Sequence, residues 1–300
     1  MQPTARRFPL PLLLVLATSG AKAGDTAWLI HLERKPGIGD RCSVSSTGTQ
    51  ERKLTTTDPG QAKEKSTEHL EITYTAIHKV LALDSAGHPS EVLVRIDRLL
   101  TNDGSGPIEQ FPAGTEITAI TVGEQTKYRM GREILEGTLC DALDLAGAKL
   151  PSPHEPSEDA VFQNHSARRP GEQWNADPRR LADAIAATSA FLIDPTSSTA
   201  SLSLDKVEPG AIPALSTTTT FKIFPVGFQG RAPSSRLQDS NITSTTVRLF
   251  PIDPSLPMIR ESVETSMKLV QKSNPGPRAT TTETTLTRQV TRHFLPLPGH

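Results

Sequence analysis

Eight histidines, His31, His69, His78, His88, His154, His165, His293 and His300, have the widest chemical reach in this 300-residue chain, as metal ligands or general bases. None has the company such chemistry needs. His154-Glu155 opens a zincin-like pattern, but the residue four positions on is Glu158 rather than a second histidine. Pro153 and Pro156 forbid the helix that would turn both ligands to one face, so His154, Glu158 and His165 read as a solvated loop rather than a metal site. His31, His69, His78 and His293 fall in strand-like stretches and read as exposed or hydrogen-bonded strand residues. No Gly-x-Ser-x-Gly nucleophile turn occurs. Gly147-Ala148-Lys149 has the ending of a phosphate loop without its first glycine, since Ala142 stands there, and reads as a helix end. Asp84-Ser85-Ala86-Gly87 lacks the alternating oxygen ligands of a calcium loop and reads as a hairpin turn. Glu68 with Glu71, and Asp141 with Asp144, are carboxylate pairs that would need a shared cleft before glycosidic chemistry had a warrant. The chain therefore implies no catalytic residue, no metal and no cofactor, and is read as a non-enzymatic protein.

Two cysteines, Cys42 and Cys140, are the one disulfide candidate. An oxidising compartment would let them pair across a long loop. Two separately buried thiols are the favoured alternative, because Cys42 falls where the second half of the chain carries Trp174, a position that reads as plain core. The compartment follows from residues 1–23. Arg6 and Arg7 supply a basic start, Phe8 to Ala17 an apolar run too short to span a bilayer, and Ala21-Lys22-Ala23 a small-residue cleavage site. Such a segment predicts export to the periplasm or the extracellular space, with no transmembrane segment in what remains. Losing Arg6, Arg7 and Lys22 takes 32 basic residues to 29 against 33 acidic ones, which excludes a dedicated nucleic-acid binder. Asn164-His165-Ser166 and Asn241-Ile242-Thr243 match the glycosylation triplet, which matters only in a eukaryotic secretory route.

The elements that must position these residues are mostly strands. Ile259, Val263, Met267 and Leu269 alternate with Arg260, Ser262, Glu264, Ser266 and Lys268, the pattern of a half-buried antiparallel strand. Leu286, Val290 and Phe294 alternate in the same way with threonines until Pro296 and Pro298, which should end the pairing. Further strands are expected over 27–33, 40–54, 67–84, 91–101, 115–122, 126–130, 199–208, 217–226 and 242–252, joined by turns rich in Asx and glycine. Helix signals cluster mid-chain, where Thr138 can cap a short helix through Ala146 ended by Gly147, and after the Asp177-Pro178 cap. The expected fold is mainly β: two antiparallel meander halves, as curved open sheets or half-barrels, with one or two short helices between them. The divisions are the signal at 1–23, an N-terminal half at 24–150, a proline-rich connector at 151–168 and a C-terminal half at 169–300. The halves look like copies of one another. Pro36-Gly37-Ile38-Gly39-Asp40-Arg41-Cys42 opens the first and Arg169-Pro170-Gly171-Glu172-Gln173-Trp174 the second, and both continue as strand, turn and strand.

With this opening, the strands of Val80 to Leu99 and the helix at Thr138 to Ala146, the chain resembles a group of exported bacterial proteins of unknown function. The resemblance covers most of the mature chain and implies no activity. Its meanders are similar to the curved antiparallel sheets of periplasmic lipoprotein carriers, which implies, by fold analogy alone, an apolar surface able to hold acyl chains. Cys42 departs from the aromatic residue common at its position in that group. The functional expectation is an exported binding or carrier module for an apolar or lipid-like small molecule. An envelope-associated structural protein that pairs with an envelope partner is the alternative, and an unrecognised secreted hydrolase the third.

Overall fold

Period-two alternation builds strands with one apolar face, and fifteen form in the computed structural model, which describes residues 26–58, 63–153, 156–189, 191–228, 237–273 and 280–298. The export segment at 1–23, His154 and His300 lie outside the described residues. The first set is β1 (Arg41–Thr57), β2 (Glu64–Leu83), β3 (Pro89–Asn102), β4 (Ile108–Glu109), β5 (Thr115–Val122), β6 (Gln125–Met130) and β7 (Glu133–Ile134). Helices α1 (Thr138–Ala146) and α2 (Glu158–Val161) follow. The second set is β8 (Gln173–Asn175), helix α3 (Pro178–Thr188), then β9 (Phe191–Ile193), β10 (Thr199–Glu208), β11 (Ala214–Ile223), β12 (Pro225–Phe228), β13 (Leu237–Pro251), β14 (Arg260–Ser273) and β15 (Thr280–Leu297).

Thirteen strands join in one antiparallel sheet ordered β7-β6-β5-β3-β2-β1-β15-β14-β13-β11-β10-β8, with β4 beside β3. The first and last long strands, β1 and β15, meet in register from Arg41 with Leu297 to Thr57 with Thr281. This seam joins two six-stranded meanders edge to edge. The short strands β7 and β8 stand at the two ends and do not pair with each other, so the sheet is open rather than a closed barrel. β9 and β12 make a separate two-stranded ribbon.

Cross-strand pairing puts all the large buried residues of this sheet on one face, here called the inner face. They fall into two clusters. The first packs Val44, Tyr74, Ile96 and Ile117 against α1 through Leu143 and Leu145. The second packs Leu202, Leu215 and Phe250 against α3 through Leu181, and against Val161 and Phe162 at the end of α2. α3 begins as the sequence implies: the Asp177 carboxylate accepts from the backbone N–H groups of Arg179 and Arg180 at 2.9 and 3.0 Å, with Pro178 in the first turn.

Four local expectations need correction. Residues 27–33 form no strand. One bridge pairs Trp28 with Arg168, and Ile30 and Leu32 are used instead as buried plugs in the second cluster. There they are held by Asn164, which donates to the Ile30 carbonyl, and by Asp159, which accepts from Leu32 N–H at 3.0 Å. Asp159, Val161, Phe162 and Asn164 thus help to build the second core. Pro296 does not end β15, since it pairs opposite Cys42. Pairing with β14 ends at His293, with one further bond from Phe294 N–H to the Ile259 carbonyl at 2.8 Å, so at Pro296 that side of β15 is a free edge where a missing N–H costs nothing. The α1 cap is Gly137 rather than Thr138. The described residues hold three short helices, one more than expected.

Candidate functional site

Each meander opens on the same turn. Gly39 N–H donates to the Val80 carbonyl at 2.9 Å, and Val80 N–H donates back to the Asp40 carbonyl at 3.0 Å. Gly171 N–H donates to the Leu204 carbonyl at 2.7 Å, and Leu204 N–H donates back to the Glu172 carbonyl at 3.1 Å. Both glycines sit at positive φ, 92° and 88°, where a β-carbon is strained. In each case the clasped strand carries a bulge just after the bonded residue, between Val80 and Ala82 and between Leu204 and Lys206. Three residues past each glycine the two part ways. Cys42 faces His78, whereas Trp174 faces Leu202. Trp174 packs on the second core with the Arg168 guanidinium 4.7 Å from its ring centroid. Cys42 is the smaller side chain, and a cavity lies beside it.

This cavity holds about 380 Å³ and is walled by Cys42, His78, Val80, Val92, Leu150 and Pro296 among others. A second lobe of about 570 Å³ adjoins it, sharing strap residues Arg34 to Pro36, Pro89 and the segment after α1. Both volumes lie within the usual span of small-molecule sites. The strap runs from the second core to β1 and is tied at both sides. Arg34 donates to the carbonyls of Pro251 and Asp253 at 2.8 and 3.1 Å, over the Phe250 ring, while Lys35 donates to the Ala86 carbonyl at 3.2 Å.

A polar row crosses the inner face beneath the larger lobe. Direct partners Arg248 on β13, Glu261 on β14, Arg292 on β15, Ser46 on β1 and Tyr74 on β2 stand side by side. Arg248 donates to Glu261 at 3.0 Å and, through both terminal nitrogens, to Glu158 of α2. Arg292 donates to Glu261 and to the Leu145 carbonyl, and Ser46 donates to the Ala146 carbonyl, so the end of α1 is capped from the sheet. Burial works against the Arg248 charge, but Glu158 and Glu261 more than offset it and hold the guanidinium more firmly protonated than usual. Burial would likewise raise Glu261, yet Arg248 and Arg292 keep its carboxylate below the ordinary range. Gly147 matters here through proximity: a β-carbon on it would lie 2.8 Å from Arg292 Cδ and Nε.

Around the smaller lobe, burial pushes the His78 imidazolium down to about 4, and the ring lies 2.7 Å from the Tyr74 hydroxyl. Burial, with Asp40 nearby, pushes the Cys42 thiol up to about 11, so it is a wall and not a nucleophile. Cys42 and Cys140 are separate thiols, both against the first core, and Cys140 Sγ donates to the Leu135 carbonyl at 3.1 Å.

The remaining sequence candidates stay dispersed. His69 lies 3.2 Å from Glu71, His88 lies 3.6 Å from Asp84, and His31, His165 and His293 are exposed. Glu158 belongs to Arg248, and no group of three or more metal-ligating side chains occurs among the described residues. Glu68 faces Arg52 at 3.7 Å while Glu71 accepts from Asn102 at 2.9 Å, and Asp144 accepts from the Tyr128 hydroxyl at 2.6 Å. Glu68 and Glu71 have separate partners, while Asp141 and Asp144 both act on the Arg288 charge. Gly147 has the left-handed geometry of a helix end, and Asp84 closes its turn by accepting from Ala86 and His88 N–H groups. Sequence reasoning passed over Arg248, Glu261, Arg288 and Arg292. Their signal was a charge in the apolar phase of a strand: Glu261 between Ile259 and Val263, and Arg288 and Arg292 on either side of Val290.

Among the described residues no helix is long and apolar enough to cross a membrane. No protein-family model matches the chain, and no curated protein matches it. Among solved structures it is similar to a structure of lipid–protein interactions in lipovitellin, at 7% identity and TM-score 0.29, covering 89% of this chain and 26% of that one. The chain thus spans about a quarter of lipovitellin. It is also similar to a LolA superfamily protein from Nitrosomonas europaea, at 9% identity and TM-score 0.16, covering 88% and 90% of the two chains. A third likeness is to the Pseudomonas aeruginosa MucA/MucB complex, at 12% identity and TM-score 0.19, covering 80% and 88%. Likenesses at this level carry no functional weight.

Proposed function

We propose that the protein is a non-enzymatic binding or carrier module, exported by its first 23 residues to the periplasm or beyond, that holds an apolar or lipid-like small molecule in the seam cavity. One observation carries the reading: the place that Trp174 fills in one meander is open beside Cys42 in the other. The two clasped turns support descent of the meanders from one repeated unit, with the binding site made by omission of the plug. Pairing with an envelope protein through a sheet edge is the weaker reading, because the end strands β7 and β8 span only two and three residues.

The test is Cys42→Trp, compared with the native chain after purification from the native host. Lipid extraction and mass spectrometry should find an apolar ligand with the native chain, and Cys42→Trp, by restoring the plug, should lose it while remaining folded. Native protein that carries no ligand and binds no added monoacylglycerol would overturn the reading.

A further inference from the structure

The charges around the cavity do not balance. In the polar row two arginines, Arg248 and Arg292, meet two glutamates, Glu158 and Glu261, and that set is closed. Five more cations line the lobes, Arg34, Lys35, Arg41, Lys149 and Arg288, and none makes an ion pair among the described residues. Arg34 and Lys35 reach backbone carbonyls only. Arg288 sits on the inner face, half-buried, and donates at 2.7 and 3.1 Å to the amide oxygen of its cross-strand partner Gln50. Beyond the closed row these five cations share the lobes with three carboxylates, Glu33, Asp40 and Asp144, while Asp141 with Asp144 acts on Arg288 and Asp159 with Asp253 acts on Arg34 without pairing either. This cationic excess occurs in a chain whose net charge is -1. Burial, with Arg292 nearby, works against the Arg288 charge more than Asp144 and Asp141 support it, and its hydrogen bonds go to a neutral amide oxygen, so an anion would complete it.

We propose that Arg288 and Lys149, with Arg34 and Lys35 on the strap, form an anion subsite in the larger lobe, and that the ligand is an amphiphile with an acidic head there and an acyl tail in the smaller lobe. The proposal rests on reading the seam cavity as an apolar binding site. The geometry suits it: Lys149 and the strap border both lobes, while Val80, Val92 and Leu150 line the smaller one. The closed polar row keeps its own charges and serves as a floor.

The experiment is isothermal titration of the whole mature chain, below micelle concentrations, with three probes: lauroyl lysophosphatidate, monolauroylglycerol and inorganic phosphate. The native chain should bind lysophosphatidate at least about tenfold more tightly than monolauroylglycerol, as expected for a charge-assisted contact. Arg288→Gln with Lys149→Gln should weaken lysophosphatidate at least about fivefold more than it weakens monolauroylglycerol. Lys149→Gln alone, at an exposed side chain, should narrow the gap in a protein whose unfolding midpoint is unchanged. Equal native affinities, or a preference untouched by these variants, would sink the anion subsite and leave the apolar site standing. Failure of both amphiphiles to bind would bring down both readings. Inorganic phosphate binding as tightly as lysophosphatidate would overturn the amphiphile in favour of a free-anion site.

Discussion

Cys42 and Trp174 occupy corresponding places three residues past clasped glycine turns, and the surroundings of each show what one side chain decides. Around Trp174 the second meander is plugged: the indole packs on the core, Leu202 lies opposite, and Ile30 and Leu32 fill in from the chain's start. Around Cys42 the first meander keeps a polar histidine opposite and an unfilled lobe above. The same backbone device therefore supports a closed core on one side of the seam and a cavity on the other. Backbone pattern sets where a site can be, and side-chain volume sets whether it is there.

The largest expected effect breaks the boundary between the two regions. Glu261→Ala leaves Arg292 with no carboxylate partner and Arg248 with only Glu158, and should cost about 3–5 kcal/mol in urea unfolding. A loss under about 1 kcal/mol would mean the row is not a structural floor. The next effect sharpens the His78 and Leu202 contrast. Folding depresses the His78 pKa to about 4 from the ordinary 6.5, so in that window the unfolded chain binds the extra proton. Stability should therefore fall by about 2–3 kcal/mol as pH drops from 6.5 to 4, and His78→Leu should flatten that part of the profile by one proton. An unchanged slope in the variant would place the titration elsewhere. The smallest effect tests the equivalence of the turns. Nothing lies within 4 Å of a β-carbon at Gly39 or Gly171, so alanine at either adds backbone strain alone. Each should cost about 1 kcal/mol, and a clear inequality would argue against one shared device.

Much of the sheet was legible because alternation is a local property. The expected bounds of 115–122 and 199–208 coincide with β5 and β10, and the Asp177-Pro178 start of α3 is a cap with a direct physical cause. The pairings of β2 with β3 and of β5 with β6 follow from short turns, whereas β8 reaches β10 through α3 and β9, and β11 reaches β13 through β12. What escaped was non-local. Residues 28–32 look like a strand but place Ile30 and Leu32 in the second core, a contact with residues far along the chain that alternation cannot reveal. Arg248, Glu261 and Arg292 break the apolar phase of three separate strands, and only the register that aligns them turns three anomalies into one row. The cavity is visible as a departure at Cys42, whose meaning depends on seeing what Trp174 fills.

The seam has a consequence for the order of synthesis. β1 is among the first strands made and β15 the last, yet each is the other's neighbour along their whole length. Until Thr280–Leu297 are made, β1 presents a seventeen-residue open edge and the cavity lacks the wall that Pro296 and Leu297 supply. Such late closure of distant contacts is slow and leaves exposed edges in the meantime. The seam can thus close only after every other described strand has been made, so one edge of β1 stays unpaired until β15 follows.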